Sequence, residues 1–216
     1  MAFEKKDITA KHKLRRPQTE AFGKIREHYE KKELKEVGLI LPVGCGKSGL
    51  ISITPYATES SRVLIIAPGK KIRDQLAKDM KFNEPDNFYN KCEFFDLVDD
   101  YPEVCIIEAG GKTNIHDIRS SDIVVSNIQQ IAGDENKWLE QLDADFFDLI
   151  IVDEAHHCIS DGYQRVLKHF EESNVLGVTA TPDRGDMKNL GSYFQSLAYE
   201  YSLPKAIKEG FLSPIK

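Results

Sequence analysis

The stretch that decides the fold is residues 37–48, which read VGLILPVGCGKS. It begins with an apolar run, typical of a strand that is buried on both faces. A turn rich in glycine follows, and Lys47 and Ser48 then begin a predicted helix. Strand, glycine turn and helix in this order predict a phosphate-binding loop, because glycines let backbone N–H groups close around anionic oxygens at a helix N-terminus.

Each residue of this loop has a predicted role. Lys47 would reach the β- and γ-phosphates of a nucleotide, and the Ser48 hydroxyl would ligate Mg²⁺. The strict pattern G-x-x-x-x-G-K-[ST] is not met, because Leu41 stands where the first glycine belongs. The alternative is a glycine-rich turn with a solvated lysine, which the flanking strand and helix disfavour. The predicted nucleotide-binding residues of the loop are Gly44, Cys45, Gly46, Lys47 and Ser48.

Composition indicates one α/β domain with a sizeable core. The chain has 216 residues, of which 41% are hydrophobic and 30% are charged, as in ordinary globular proteins. No apolar run approaches the ~20 residues of a membrane helix, so we expect no membrane partner. The four cysteines follow no framework spacing, which favours reduced thiols and a cytoplasmic protein. The net charge of −6 excludes binding to nucleic acid by bulk positive charge and leaves only local patches.

Strands and helices are predicted to alternate along the chain. After the strand of the phosphate loop, short β-branched runs follow at 63–67, 104–107, 123–125, 149–152 and 175–178. Helices are predicted at 17–35, 47–56 and 72–80, and residues 81–103 are expected to be an irregular insertion with a short element at 94–98. This alternation predicts a mostly parallel central sheet flanked by helices. In such sheets ligands bind at the carboxyl ends of the strands.

Two carboxylates follow the buried strand that ends near residue 152. Asp153 would help to hold Mg²⁺ through water, and Glu154 would act as the base that orients an attacking water at the γ-phosphate. The alternative is that both residues only cap the following turn. The next strand ends in Thr179 and Thr181, whose hydroxyls could hydrogen-bond to these carboxylates. We therefore expect Lys47, Asp153 and Glu154 to be the catalytic residues.

These motifs together resemble a known family. Lys47-Ser48, the DEAH tetrad at 153–156 and the TATP segment at 179–182, in this order, resemble the first motor domain of superfamily 2 helicases and translocases. The DEAH-type family that includes the motor subunits of type I and type III restriction enzymes is the most similar. The resemblance implies a RecA-like P-loop NTPase domain that uses ATP and Mg²⁺.

The resemblance covers residues 1–216, with 1–16 as an N-terminal arm and 200–216 as an exit segment. It implies that a longer chain continues into a second RecA-like domain, which would supply arginines to the γ-phosphate. Alone, this chain would then bind nucleotide weakly and turn it over poorly.

Further roles are implied by the same resemblance. Gln18, in the segment LRRPQTEA, matches the family's adenine-recognition glutamine, although Pro17 replaces the aromatic residue that commonly precedes it. From residue chemistry alone, a solvated glutamine is equally compatible with this position. His156, together with Thr179 and Thr181, would couple the nucleotide site to the nucleic-acid surface.

Nucleic-acid contacts are also implied by resemblance. Such contacts go to phosphates and sugars and carry no sequence information. The glycine pair Gly110-Gly111 falls where another backbone-contact motif occurs. The predicted contact residues are Pro68, Lys70, Arg73, Ser126 and Asn127.

The function predicted from these observations is the ATP-binding half of an ATP-dependent DNA helicase or translocase, with double-stranded DNA as partner. Two alternatives stay open. One is an RNA helicase or RNA-sensing motor, because phosphate contacts at these loops would look alike. The other is a non-motor ATP-binding module.

Overall fold

The computed structural model of the protein describes residues 3–8, 12–31, 34–97, 100–134, 137–180 and 190–213. These residues form one sheet of parallel strands, with the spatial order β3-β4-β2-β5-β6-β1-β7 once the strands are numbered along the chain. The strands are β1 (Glu36–Ile40), β2 (Val63–Ala67), β3 (Val104–Ile106), β4 (Ile123–Asn127), β5 (Leu149–Asp153), β6 (Asn174–Thr179) and β7 (Leu197–Glu200). Every pairing between neighbours is parallel, which confirms the predicted fold class.

Helices connect the strands. They are α1 (Arg16–Lys31), α2 (Lys47–Ile53), α3 (Pro55–Thr58), α4 (Lys70–Met80), α5 (Phe88–Lys91), α6 (Ile115–Ser120), α7 (Ile128–Ile131), α8 (Trp138–Gln141), α9 (Asp161–His169) and α10 (Leu203–Lys208), with a 3-10 helix at Ala155–Ile159. Within the part of the chain that the structure describes, no helix is both long enough and apolar enough to cross a membrane.

Two hydrophobic cores lie on the two faces of the sheet. Along β5 the side chains alternate, so that Leu149 and Ile151 enter one core while Ile150 and Val152 enter the other. Helices α1–α5 and α10 contribute to the first core, and α6–α9 contribute to the second. Strands buried on both faces need apolar residues at successive positions, which explains the continuous apolar runs in the sequence.

Three neighbouring strands carry the predicted chemistry. β6 lies between β5 and β1, and its end is level with theirs, since Thr179 pairs with Ile40 and Val178 pairs with Asp153. The loops that follow β5 and β1 therefore leave the same edge of the sheet, one strand apart. This topology brings segments more than a hundred residues apart in sequence to one place.

Two predictions of local structure were wrong in detail. The helix predicted at 47–56 is divided between α2 and α3, because Pro55 has no N–H to continue the ladder and instead begins a new turn. The short element predicted at 94–98 is absent from 94–97, and Val98 lies outside the described residues. The helix of this insertion is α5, whose N-cap Asn87 accepts a hydrogen bond from Asn90 N.

The edge strand β7 was not predicted. It pairs with β1 through a register shift between Gly38 and Leu39, and its four side chains are half-buried or exposed. An edge strand that is only partly covered does not need a continuous apolar run, so the sequence LAYE carries a weak strand signal.

Packing on β6 generates a stability prediction. A methyl group at Gly177 would lie 2.3 Å from Phe194 Cζ and 2.7 Å from Ala155 Cβ. We expect Gly177→Ala to lower the free energy of unfolding by about 1–3 kcal/mol, because the core must shift to admit the extra carbon. Urea denaturation measures this change.

The matched control is Gly23→Ala. Gly23 lies on the exposed side of α1, and a methyl group there would meet nothing within 4 Å. This substitution should raise the free energy of unfolding by about 0.5–1 kcal/mol, because alanine is the better helix former. Equal stability of Gly177→Ala and the unsubstituted protein would contradict the packing described for β6.

Candidate functional site

The loop after β1 has the backbone of a phosphate-binding turn. Gly44 has φ of 88° and Gly46 has φ of 96°, and both values lie in the left-handed region that favours glycine. Cys45 N donates to Pro42 O at 3.0 Å, which closes the turn, and the Cys45 side chain is buried. Gly46 is the N-cap of α2, so Lys47 and the exposed Ser48 form the first turn of the helix.

The structure brings the three predicted catalytic residues together. Lys47 Nζ lies 2.8 Å from Asp153 Oδ1 and also contacts Glu154 Oε1. Lys47 starts α2 just beyond β1, and the two carboxylates end β5, so the lysine side chain reaches across the end of β6. Asp153 is only 3% exposed, whereas Glu154 is half-buried.

Burial and charge act against each other in this cluster. Burial lowers the pKa of Lys47, but the two carboxylates outweigh burial and hold its pKa above the ordinary value. Burial also raises the pKa of Asp153, although the ammonium of Lys47 acts in the opposite direction. Lys47 is therefore a firmly protonated cation whose charge compensates carboxylates that have little access to water.

Glu154 adopts an unusual backbone conformation. Its φ of 55° and ψ of 56° are left-handed, which costs a residue with a side chain about 1–2 kcal/mol. Its N–H donates to Asp153 Oδ1 at 3.0 Å. This conformation ends β5 abruptly, and the two adjacent carboxylates can both reach the same ammonium.

Two of the three predicted coupling residues lie beside Glu154. Thr179 Oγ1 donates to Glu154 Oε2 at 3.4 Å. His156 Nδ1 lies 3.5 Å from Thr179 Oγ1 and 3.7 Å from Glu154 Oε2. The three side chains form a triangle at the end of β6, and the third predicted residue, Thr181, lies outside the described residues.

Gln18 contacts the phosphate loop directly. Its side chain is 3% exposed, its Nε2 donates to Gly46 O at 2.9 Å, and its Oε1 accepts from Arg15 N at 2.8 Å. The Arg15 guanidinium also donates to Gly44 O. The solvated glutamine that residue chemistry left open is thus excluded, and Gln18 ties α1 to the loop.

The predicted nucleic-acid residues differ in accessibility. Lys70 is exposed at the start of α4, and Pro68 and Asn127 are half-buried at the ends of β2 and β4. Arg73 is 3% exposed, and its guanidinium donates to Ile107 O at 2.8 Å and to Asp74. Ser126 is fully buried, and its hydroxyl donates to Asn127 O at 3.0 Å. The placements of Arg73 and Ser126 do not fit direct contact with a nucleic acid.

The exit segment packs against α1 through a carboxylate that the sequence analysis missed. Glu20 accepts hydrogen bonds from Tyr199 Oη and Arg16 Nε, each at 2.6 Å, and from Lys205 Nζ at 3.2 Å. These contacts, Tyr199 first and Arg16 second, lower the pKa of Glu20 to about 2. Because Tyr199 and Lys205 lie far along the chain from Glu20, no local pattern in the sequence could have indicated this cluster.

A comparison with known families agrees with this geometry. The family described as type III restriction enzyme, res subunit, matches residues 11–184. The chain belongs to this family. It is a RecA-like motor domain of superfamily 2, of the ATPase type found in helicases and restriction enzymes.

Individual relatives point the same way. The endonuclease subunit of the type I restriction enzyme EcoAI from Escherichia coli is 35% identical over 100 residues, which cover 44% of this chain and 12% of that protein. A fragment from Vibrio vulnificus, described as an HsdR subunit of a type I restriction enzyme, has a TM-score of 0.64 at 25% identity and covers 94% of this chain and 33% of that one. The chain thus spans a small part of both relatives.

A third structure supports the fold alone. The UvsW helicase of bacteriophage T4 has a TM-score of 0.56 at 15% identity, with 91% of this chain and 70% of that chain covered. At this identity the likeness concerns the arrangement of strands and helices.

The Glu20 cluster generates a pH prediction. An unfolded glutamate has a pKa of about 4.3, whereas folded Glu20 has a pKa of about 2. Because the folded value is lower, Glu20 stabilises the protein above the unfolded pKa, and this contribution of up to about 3 kcal/mol is lost as the pH falls towards 2. Glu20→Gln should therefore flatten the pH dependence of the free energy of unfolding between about pH 5 and 2.

The control is Glu27→Gln in the same helix. Glu27 also pairs with two cations, Lys24 and Lys31, but all three side chains are exposed, so these pairs contribute little to the free energy of unfolding. Urea denaturation across the pH range distinguishes the two variants. A Glu20→Gln profile parallel to that of the unsubstituted protein would contradict the assigned role of the cluster.

Proposed function

We propose that this chain is the ATP-binding half of an ATP-dependent DNA translocase or helicase. It hydrolyses ATP to ADP and phosphate only when joined to a second RecA-like domain. The observation that carries this proposal is the contact of Lys47 with both Asp153 and Glu154 at the end of three adjacent strands. The alternative, a solvated lysine in a glycine turn, does not predict a contact with two carboxylates at this place.

The nucleotide site works by exchange of charge partners. In the structure Lys47 is paired with the carboxylates; when phosphates enter the loop, its ammonium turns to the β- and γ-oxygens, with backbone N–H groups of residues 44–48 around them. The exposed hydroxyl of Ser48 and the carboxylate of Asp153 are oxygen ligands of the kind that Mg²⁺ prefers. The metal, when bound, neutralises charge that develops on the phosphates.

Glu154 holds the attacking water. Its carboxylate is half-buried, contacts Lys47 and accepts a hydrogen bond from Thr179. Once Lys47 has moved, the carboxylate oxygen that it contacted is released and can accept a proton from water. His156 and Thr179 contact the same carboxylate and would sense that change. We assign the coupling role to these two residues, with Thr181 added by resemblance.

The nucleic acid is proposed to lie along the other half of the same sheet edge. The residues proposed for the nucleotide lie at or after the ends of β5, β6 and β1, whereas Pro68 and Lys70 follow β2 and Asn127 ends β4. Lys70 supplies positive charge locally in a chain whose net charge is −6. Double-stranded DNA is the favoured substrate because the E. coli relative is a restriction enzyme subunit.

The second domain completes the nucleotide site. Val43, Gly44 and Ser48 are exposed, so the loop is open on one side to a partner surface. An arginine from that domain would compensate charge on the γ-phosphate, a contribution that is large in related phosphoryl transfers. The four cysteines, all buried and unpaired, fit a reducing compartment, and we propose the cytoplasm.

Two substitutions test the catalytic assignment in the protein that carries its second domain. Lys47→Ala should abolish both ATP binding and hydrolysis. Glu154→Gln should retain ATP binding and lower hydrolysis by a factor on the order of 10² or more, because water is no longer activated. Phosphate release and equilibrium binding measure the two effects.

Lys168→Ala, at an exposed position of α9, is the matched surface control and should hydrolyse ATP normally. Thermal unfolding establishes that each variant is folded. Persistent hydrolysis by a folded Lys47→Ala protein would refute the site.

The class of nucleic acid is tested separately. We expect duplex DNA to stimulate ATP hydrolysis by the two-domain protein, and single-stranded RNA to leave it near the basal rate. Residues 1–216 alone should hydrolyse ATP poorly in the presence of either nucleic acid. Stimulation by RNA only would show an RNA motor, and binding without hydrolysis in the two-domain protein would show a non-motor ATP-binding module.

A further inference from the structure

An aromatic ring from a distant part of the chain lies beside Gln18. Phe88 is the first residue of α5, in the insertion between α4 and β3. A methyl group at Gly49 of α2 would lie 2.1 Å from Phe88 Cε2 and 2.5 Å from Gln18 Nε2. The edge of the ring and the amide nitrogen are therefore neighbours above Gly49.

The position of Phe88 is fixed by the rest of its helix. The hydroxyl of the fully buried Tyr89 donates to Ser52 O in α2 at 2.7 Å. The rings of Tyr89 and Phe95 pack with their centroids 4.6 Å apart, within a larger aromatic cluster. Helix α5 is thus docked on α2 through Tyr89, which places the backbone of the half-buried Phe88 beside Gly49.

The contact explains a glycine within a helix. Glycine in a helix costs about 0.5–1 kcal/mol relative to alanine. At Gly49 any side chain would displace either the Phe88 ring or the Gln18 amide. The glycine therefore allows three segments to meet: α1 with Gln18, α2 with Gly49 and α5 with Phe88.

The amide of Gln18 has one donor and one acceptor left for a ligand. Its Nε2 carries two hydrogens, one of which goes to Gly46 O, and its Oε1 has two lone pairs, one of which accepts from Arg15 N. These two hydrogen bonds fix which end of the amide is the donor. Phe88 Cε2 and Gln18 Nε2 both border the place that a β-carbon of Gly49 would take, so the ring is a neighbour of the amide nitrogen.

A fixed amide can distinguish purines. One edge of adenine presents a donor, the amino group at N6, next to an acceptor, N7, whereas guanine presents two acceptors there, O6 and N7. An amide with one free donor and one free acceptor matches the edge of adenine. With guanine, the oxygen of the amide would face another acceptor and could not form a hydrogen bond. Discrimination needs the amide to be held in a single orientation.

We propose that Phe88 is a positioning residue that holds the Gln18 amide and thereby sets the preference of the site for adenine nucleotides. This proposal rests on the nucleotide-binding function proposed above. The residue before Gln18 is Pro17, and the aromatic ring beside the amide comes instead from the insertion.

The test compares the dissociation constants of Mg²⁺-ATP and Mg²⁺-GTP in the full-length protein. The unsubstituted protein should prefer ATP. Phe88→Ala should reduce this preference about tenfold, mainly by weakening the binding of ATP, because an amide that is free to turn no longer keeps its hydrogen bonds to adenine. Phe88→Tyr keeps the ring and should keep the preference. Phe82→Ala, in the same insertion but 50% exposed, is the matched control and should bind as the unsubstituted protein does.

The ratio separates positioning from general damage. The inference would be overturned if a folded Phe88→Ala protein bound ATP and GTP more weakly by the same factor, or if the ratio of the two dissociation constants did not change. It would also be overturned if the unsubstituted protein showed no preference between ATP and GTP. Lys47→Ala provides the independent reference, because it should remove binding of both nucleotides. If Lys47→Ala loses binding while Phe88→Ala keeps the ratio, the proposed function stands and only the role of Phe88 fails.

Discussion

The ion cluster of Lys47 with Asp153 and Glu154 is the constraint on which the rest of the site depends. A buried carboxylate that loses its cation costs several kcal/mol, so Asp153 requires the lysine where water is scarce. The strand order meets that requirement, because β1, which precedes the phosphate loop, is separated from β5 only by β6. In the proposed function, phosphates that enter the loop would be new charge partners for the lysine and would release the carboxylates.

The proposed assignments divide this edge of the sheet into two halves. The residues proposed for the nucleotide lie at or after the ends of β5, β6 and β1, and the accessible polar residues proposed for nucleic acid lie at or after the ends of β2 and β4. Side chains from β6 and from the turn after β5 meet at Glu154, where Thr179 and His156 contact its carboxylate. A change in the charge partner of Glu154 would therefore affect side chains that belong to different segments of the chain. These contacts define which groups a two-state change would have to move.

Sequence reasoning succeeded where the determinant is local. The apolar runs predicted six of the seven strands, because burial on both faces leaves no room for polar residues, and the glycine turn and adjacent carboxylates predicted the cluster at Lys47. It failed where the determinant is a distant neighbour. Arg73 matched a contact motif, yet it is buried, and its guanidinium donates to the carbonyl of Ile107, 34 residues along the chain. β7 lacked an apolar run because its four side chains are half-buried or exposed and need not be apolar.

The glycines around the phosphate loop show why such distant contacts form here. The left-handed angles of Gly44 and Gly46 suit the turn, and the missing side chains of these two and of Gly49 in α2 also admit neighbours. A methyl group at Gly44 would lie 3.0 Å from Leu212 of the exit segment, one at Gly46 would lie 2.6 Å from Gln18, and one at Gly49 would meet Phe88. Three remote segments thus converge on the same short stretch. Because each segment lies where a β-carbon would be, the proposed shift of the loop on nucleotide binding would change contacts with α1, the exit segment and the insertion together.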